Sequence, residues 1–523
     1  MARDMVQVRR SKTPGFSGPD IKIGRSQFDR SHGWKGTFDA SRLIPILVDE
    51  VLPGDTFTCK LNGFARIWSP LDAPIMDNIE LRTEFFFVPN RLLWDNWVYF
   101  MGQHQSAGAQ DVDYTIPVLA SGGVSDHSQG TGLNNLLAYM GIPHNVNTGS
   151  VPINALPLRA YHFIYSEWYR DQNVINEQAH QTGNGPDSVG GFAIFKSAKK
   201  HDPYTSALPY LQKGDAQTVV DQAAVHIAGS PADTLRIYSD GQSAWHNIDT
   251  NLSVADLSSS TTGNTDGELY ANVEIDINAL RLAVATQRLL ERDARGGTRY
   301  TELIKSHFGV TSPDFRLQRP EYLGGGVSHI NISAVANTSE DASNKQGHLT
   351  GIGTGVIRGH GWAKSFTEHG YIIGIMRARG DVTYFQGIDR LWSRSSRLDF
   401  YFPALAHLGE QAIELKELYV QNNSALDTAA FGYQERWWEY RHKKSMVYGE
   451  LNPDVTGAIS FWHLAEDFGT PPVLGQTFVE DQTPMDRVTT VDTEHDFVAD
   501  IWFDYKCARP IPVRSVPSLT GRF

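Results

Sequence analysis

The alternation of apolar and polar positions is clearest near the carboxyl end. There Phe497, Ala499, Ile501, Phe503 and Tyr505 fall on one side of the chain and Asp500 and Asp504 on the other. A period of two predicts a strand packed on one face only. The same period runs from Gly54 to Trp68 through Phe57, Cys59 and Leu61, then resumes at Ala65 and Ile67 after an interruption at Gly63 that reads as a bulge. Leu81 to Val88 is a further strand, its run Phe85-Phe86-Phe87-Val88 halted by the turn signal Pro89-Asn90. Tyr371 to Met376 is apolar between charged flanks, as in a strand buried on both faces, and Ala412 to Val420 reads as another strand.

Between Asn278 and Asp293 the spacing changes: Leu280, Ala283, Val284, Gln287 and Leu290 recur at three and four residues, predicting a helix that stops before Gly296-Gly297. Thr301 to Phe308, ended by Gly309, and Leu133 to Met140 read as shorter helices. Strands toward both ends, with helices and long Gly/Ser/Asn loops between them, predict a mainly β fold of the jelly-roll kind with greatly expanded loops. No internal repeat is visible.

Composition adds little: 523 residues, 41% hydrophobic and 11% aromatic, are ordinary globular material. Cys59 and Cys507 sit far apart and near no other ligand at metal spacing, so buried free thiols are expected in place of a disulfide or a zinc site. The segment MARDMVQVRRSKTPGFSGPD lacks the apolar core of a signal peptide, and no run of about 18 apolar residues occurs. The expectation is synthesis and assembly in the cytoplasm, without membrane insertion.

Charge is distributed unevenly beneath a net −13. Residues 1–42 carry nine Lys/Arg against four Asp/Glu, residues 506–523 carry four cations and no acid, and residues 221–275 carry eight acids against Arg236 alone. Cationic ends suit contact with a polyanion, whereas an acidic insertion favours solubility. Pro14, Pro19, Pro510, Pro512 and Pro517 keep those ends extended. The predicted organisation is an extended basic arm at 1–42, one elaborated domain at 43–523 with a surface insertion at 221–274, and an extended arm at 506–523.

Catalytic signals are weak. GIGTGVIRGHG, at 351–361, lacks the GK[ST] ending of a phosphate loop and reads as a mobile loop. Glu368-His369, Glu494-His495-Asp496 and His463 with Glu466-Asp467 place acids beside histidines, but none forms HExxH, and no GxSxG occurs. The acids from Asp249 to Glu268 are too widely spaced for an EF-hand, leaving at most a loosely held calcium at a subunit contact. The sequons at Asn251, Asn331, Asn337 and Asn422 carry no weight in a bacterial setting. No cofactor and no enzymatic activity are expected. Tyr433, Trp437, Trp438 and Tyr440 interleave with Arg436, Arg441, His442, Lys443 and Lys444, the mixture that single-stranded nucleic acid favours because bases stack on rings while cations hold phosphates.

Several motifs carry a family resemblance. LIPI, VDEVLPGDTF, PIMDN, FFFVPNRL and WDNW follow one another between Gly36 and Gly102. NALPLRAYHFIYSEWYRDQN (154–173), HDPYTSALPYLQKG (201–214), the segment 289–325, FGYQERWWEYRHKKSMVYGE (431–450) and the tail from Asp496 continue the series. Together they resemble the major capsid proteins of the microviruses, small tailless single-stranded DNA phages, in the gokushovirus branch. The match is weakest at 103–150, 221–274 and 331–361, where variable surface loops are expected.

The resemblance implies an eight-stranded antiparallel jelly roll of the viral capsid type with long inter-strand insertions containing short helices. It also implies a coat of sixty copies enclosing a single-stranded DNA genome, a small basic packaging protein and a pilot protein as partners, and a host-cell receptor. On that reading Arg9, Arg10, Lys12, Arg436, Arg441, Lys443, Lys444 and Arg514 are candidate nucleic-acid contacts. Trp94, Trp97, Trp168, Trp437 and Trp438 are candidate subunit contacts. The acidic insertion, with Asp233, Tyr238, Asp240, Trp245 and Asp249, is expected to form threefold protrusions that bind the receptor. A jelly-roll carbohydrate-binding or carbohydrate-active protein is the alternative; it needs a carboxylate pair on facing strands.

Overall fold

In the computed structural model the described residues are 24–103, 114–128, 130, 132–178, 180–211, 213, 236–238, 245–247, 277–297, 299–339 and 346–514. The chain divides into two compact units, Met1–Leu211 with Thr311–Phe523, and Gln212–Val310.

Among the described residues, eight of the nine strands in the larger unit's main sheet carry the fold, the short Ser26–Asp29 adding at an edge: β1 (His32–Phe38), β2 (Ile44–Val51), β3 (Thr56–Ile67), β4 (Ile79–Pro89), β5 (Glu321–Ala336), β6 (Leu349–Ser365), β7 (Gly370–Gly380) and β8 (Phe497–Arg509). They lie in the order β1-β8-β3-β6-β5-β4-β7-β2, every neighbour antiparallel. That order is the jelly roll: four strands make one sheet, four make the other, and the β5–β6 hairpin joins them. The sheet closes over itself. Phe85 of β4 and Phe503 of β8 are remote along the sheet, yet their rings meet edge to face at 6.4 Å. The hydroxyl of Tyr505 in β8 donates to Asp49 of β2 at 2.9 Å.

The periodicities explain the layers. On β8 the alternate residues Phe497, Ala499, Ile501, Phe503, Tyr505 and Cys507 are all buried, and on β3 Phe57, Cys59, Leu61, Ala65 and Ile67 join them. The pairing of β3 with β6 shifts between Leu61 and Gly63, where the bulge was expected. Nearly every residue of β7 is buried, because helices cover its outer side. Helix α1 (Leu133–Tyr139) packs on β2 and α2 (Leu156–Ile164) on β7. Tyr161 of α2 ties the layer down, donating to the carbonyl of Leu43 at 2.8 Å and accepting from the amide of Phe195 at 3.1 Å.

Several expectations are corrected. The glycine-rich stretch 351–361 is not a loop but the body of β6, and much of the expected variable segment 331–361 belongs to β5 and β6. Gly351, Gly353, Gly355 and Ile357 point inward, while Ile352, Thr354 and Val356 point outward. A Cβ at Gly361 would lie 2.5 Å from the carbonyl oxygen of Cys59, so glycine lets β6 approach β3 closely. The basic arm does not stay outside the fold up to residue 42: Ser26–Asp29 and β1 already pair with β8. At the other end Lys506 to Arg509 complete β8. Ala412 to Val420 is a strand only at its start, Glu410–Glu414, which pairs with Ala430–Glu435 before a turn of 3₁₀ helix.

A second apolar cluster packs Tyr204, from the segment after α2, against Tyr384, Ile413, Leu418, Phe431, Trp438 and Phe478 of the long excursion between β7 and β8. In the smaller unit, α3 (Ile277–Gly296) and α4 (Tyr300–Phe308) pack together, and Gly309 at φ 68° ends α4. An Asp293–His307 contact at 2.5 Å links the two helices. Arg236–Tyr238 and Trp245–Asn247 form an antiparallel pair in the same unit.

Candidate nucleic-acid and subunit interfaces

The aromatic and basic segment after Phe431 folds into a knot of internal contacts. Trp437 adopts a left-handed backbone at φ 69°, costly for a bulky residue and held here by its surroundings. Its buried indole donates to the carbonyl of Leu405 at 2.9 Å, with the Arg436 guanidinium 4.7 Å above the ring and Tyr401 edge-on at 5.6 Å. Trp438 points the other way, into the second cluster, meeting Tyr204 edge-on at 5.5 Å. Neither indole is a free stacking platform.

Most of the cations beside them are engaged. Lys444 is only 9% exposed; its ammonium donates to the carbonyls of Glu417 at 2.7 Å and Gly387 at 3.4 Å, and burial pulls its pKa down to about 8. Arg441 pairs with Glu435 at 2.6 Å, Lys443 with Asp389, Arg394 with Glu439 at 3.3 Å and Arg390 with Glu417 at 3.0 Å. Arg436 reaches the carbonyl of Leu398. Arg514 is exposed at the end of the described chain, whereas Arg9, Arg10 and Lys12 lie outside the described residues.

The remaining tryptophans divide. Trp94 is wholly buried in the chain's own core, with its indole donating to Asn184 at 2.8 Å, and has no surface left for a neighbouring subunit. Trp97 is half-buried against Phe100 and His369. Trp168 is half-buried too, donating to the carbonyl of Pro320 at 3.0 Å beneath the Arg319 guanidinium. Tyr238 and Trp245 are direct cross-strand partners in the smaller unit; Asp233, Asp240 and Asp249 lie outside the described residues.

The acid and histidine sets serve structure. Glu368 pairs with Arg91 at 2.7 Å, Glu466 with Lys199 at 3.0 Å, and His495 with Asp39 at 2.7 Å. His463 is held by the carbonyl of Leu451 at 2.6 Å and the amide of Ala465 at 3.1 Å. Asp496 accepts from the Ala40 amide at 2.7 Å, and burial pushes its pKa up to about 7. Among the described residues no group of three or more His, Cys, Asp or Glu is placed to hold a metal.

What the motifs missed is an exposed apolar ledge at 388–408. Trp392 is 76% exposed, and Leu391, Leu398, Phe400, Tyr401 and Leu408 are exposed beside it, with Tyr440 alongside Tyr401. Arg394 lies over the rings of both Phe400 and Tyr440, and Arg397 over Phe402. Exposed apolar side chains concentrated in one segment in this way, with Trp, Tyr and Arg among them, have the composition of a protein interface. The aperiodic run LDFYFPALAHL was its only trace in the sequence.

Comparison with known proteins gives this surface its setting. The family described as "Capsid protein (F protein)" matches residues 19–519, nearly the whole chain. The chain belongs to that phage capsid family. It is 41% identical to capsid protein VP1 of Bdellovibrio phage phiMH2K, with 97% of each chain covered. It is 37% identical to capsid protein VP1 of Chlamydia phage 1, with 96% of each covered, and 32% identical to that of Spiroplasma virus 4, with 95% of this chain and 96% of the other covered. The chain is thus a major structural coat protein of the microvirus kind and a component of the virion. Coat proteins self-assemble, so a large uncovered aromatic ledge has a use. No described helix is long and apolar enough to cross a membrane.

Proposed function

We propose that this chain tiles with copies of itself, sixty in the simplest icosahedral arrangement, into a closed shell around a single-stranded DNA genome, with a mechanical and not a catalytic role. The observation that carries the reading is the ledge at 388–408, which leaves Trp392, Leu398 and Phe400 in water in a single chain. Burying such side chains between rigid jelly-roll wedges is what drives a shell to close. The basic ends turn toward the genome, the acidic insertion at 221–274 faces outward and reads the host receptor, and a small basic packaging protein and a pilot protein complete the particle, assembled in the host cytoplasm.

Electron cryomicroscopy and sedimentation of the purified chain test this. Closed particles with the ledge buried between subunits are the expected result. A chain that stays monomeric at high concentration, or particles with the ledge facing solvent, contradicts it.

A further inference from the structure

The two halves of the jelly roll are finished differently. The outer side of β2, β7 and β4 is clad by α1, α2 and the helical turn Asn90–Leu93. The outward positions of β3, β8 and β6 remain open: Phe64 is 44% exposed and Trp502 55%, and Lys60, Arg66 and Arg358 are exposed with them. Register makes this one patch. Trp502 lies opposite Asn62 and Phe64 opposite Asp500, so the two rings are diagonal neighbours on paired strands, about 7–8 Å apart. On its other side Phe64 faces Val356, and Arg66 faces Thr354, two and four residues before Arg358.

The charge balance of the face selects its occupant. Asp500 and Asp504, on β8, are each already matched, to Lys35 at 3.9 Å and to Lys506 at 3.2 Å. Lys60 lies opposite Asp504 in the register, but Asp504 pairs with Lys506, and none of Lys60, Arg66 and Arg358 forms an ion pair among the described residues. A protein interface depletes lysine at its centre and answers its cations with acids, whereas a polyanion asks for unanswered ones. Outward positions along a strand recur about every 7 Å, close to the phosphate repeat of an extended single strand. An open sheet that offers rings flanked by cations is also how single-stranded bases are stacked in other folds.

We propose that the open face of β3, β8 and β6 binds single-stranded DNA, with Phe64 and Trp502 stacking on bases and Lys60, Arg66 and Arg358 holding phosphates. This rests on the coat reading and names the part of the subunit that meets the genome. It moves that contact away from the segment after Phe431, whose cations are already paired.

Fluorescence anisotropy of the full chain with labelled oligothymidylate tests the assignment. Combining Lys60→Ala, Arg66→Ala and Arg358→Ala is expected to weaken binding at least about tenfold at low salt and to lower the slope of log affinity against log salt by about 2. Phe64→Ala with Trp502→Ala is expected to weaken binding about tenfold with the slope unchanged, whereas Arg441→Ala with Lys443→Ala leaves affinity within about twofold. Trp502→Phe keeps a ring and the fold; it is expected to bind as the parent does while losing part of the tryptophan quenching that DNA causes. An unchanged salt slope in the triple variant, or unchanged quenching in Trp502→Phe, overturns the proposal, as does protection of Trp502 from oxidation by a neighbouring copy in DNA-free particles. Those results leave the coat reading standing. Failure of the unaltered chain to form particles sinks the coat reading instead.

Discussion

Arg159 and Asp187 form a doubly hydrogen-bonded ion pair, Nε to Oδ2 at 2.7 Å and Nη2 to Oδ1 at 2.5 Å, with neither side chain exposed. The guanidinium also donates to the carbonyls of Leu93 at 2.8 Å and Gly183 at 2.9 Å, so it clamps α2 to the segment after β4. Removing one partner strands a buried charge. Asp187→Ala is therefore expected to destabilise the chain by about 3–5 kcal/mol, whereas Arg159→Met combined with Asp187→Leu recovers much of that loss. Chemical denaturation of the single and double variants checks it.

Gly361 and Gly353 differ in what crowds them. A Cβ at Gly361 meets the carbonyl oxygen of Cys59, part of a fixed strand, while one at Gly353 meets the end of the Ile67 side chain, which can rotate away. Gly361→Ala is expected to cost about 2–3 kcal/mol and Gly353→Ala about 1 kcal/mol. The ratio of their denaturation midpoints to that of the parent decides the point.

Asp496 gives a pH dependence of defined sign. Burial raises its pKa from 3.8 to about 7, so between those values the folded chain holds a proton that the unfolded chain has released. The stability this confers is complete below pH 3.8 and is lost as pH rises through 7. His162 acts in the opposite sense, because burial lowers its pKa to about 4 and its contribution is lost on acidification. A comparison with Asp496→Asn isolates the carboxyl: relative to the parent, that variant is expected to gain about 2 kcal/mol on going from pH 5 to pH 8. Thermal unfolding at both pH values measures it.

The ledge separates folding from assembly. Trp392→Ser with Phe400→Ser removes apolar surface that the single chain leaves in water, so subunit stability is expected to change by less than about 0.5 kcal/mol. Particle formation is expected to require at least about tenfold more protein. Light scattering against concentration, alongside circular dichroism, reads both quantities.

Cys59 faces the core on β3, and burial pushes its thiol up to about 12. With so little thiolate at neutral pH, it is expected to react with a disulfide reagent only at the rate of unfolding. Rapid labelling in the native protein contradicts the packing described for β3.

Where a strand faces the core on one side and water on the other, its own residues were enough to reveal it. Phe497 to Tyr505 and Phe57 to Ile67 alternate because their surroundings alternate, and the Gly63 bulge showed as a break in that rhythm. The strand Tyr371 to Met376, the helix at 277–296 and the capsid kinship were legible for the same reason: each is written in neighbouring residues. β6 was not, because its inward glycines look like chain breakers until β3 is seen lying against them. Nor did the sequence distinguish Trp94, sealed in the core, from Trp392, left in water, since an indole is equally apolar in both places.

The pairing of cations was decided by tertiary structure alone. Lys443 meets Asp389 and Lys199 meets Glu466 from distant parts of the chain, while Lys60 and Arg66 on β3 form no ion pair among the described residues. Local pattern determined which segments became strands, because side-chain alternation is a property of one strand. Which faces were covered and which charges were answered depended on how distant strands and excursions were brought together. A Coulomb pair has no sequence period to betray it.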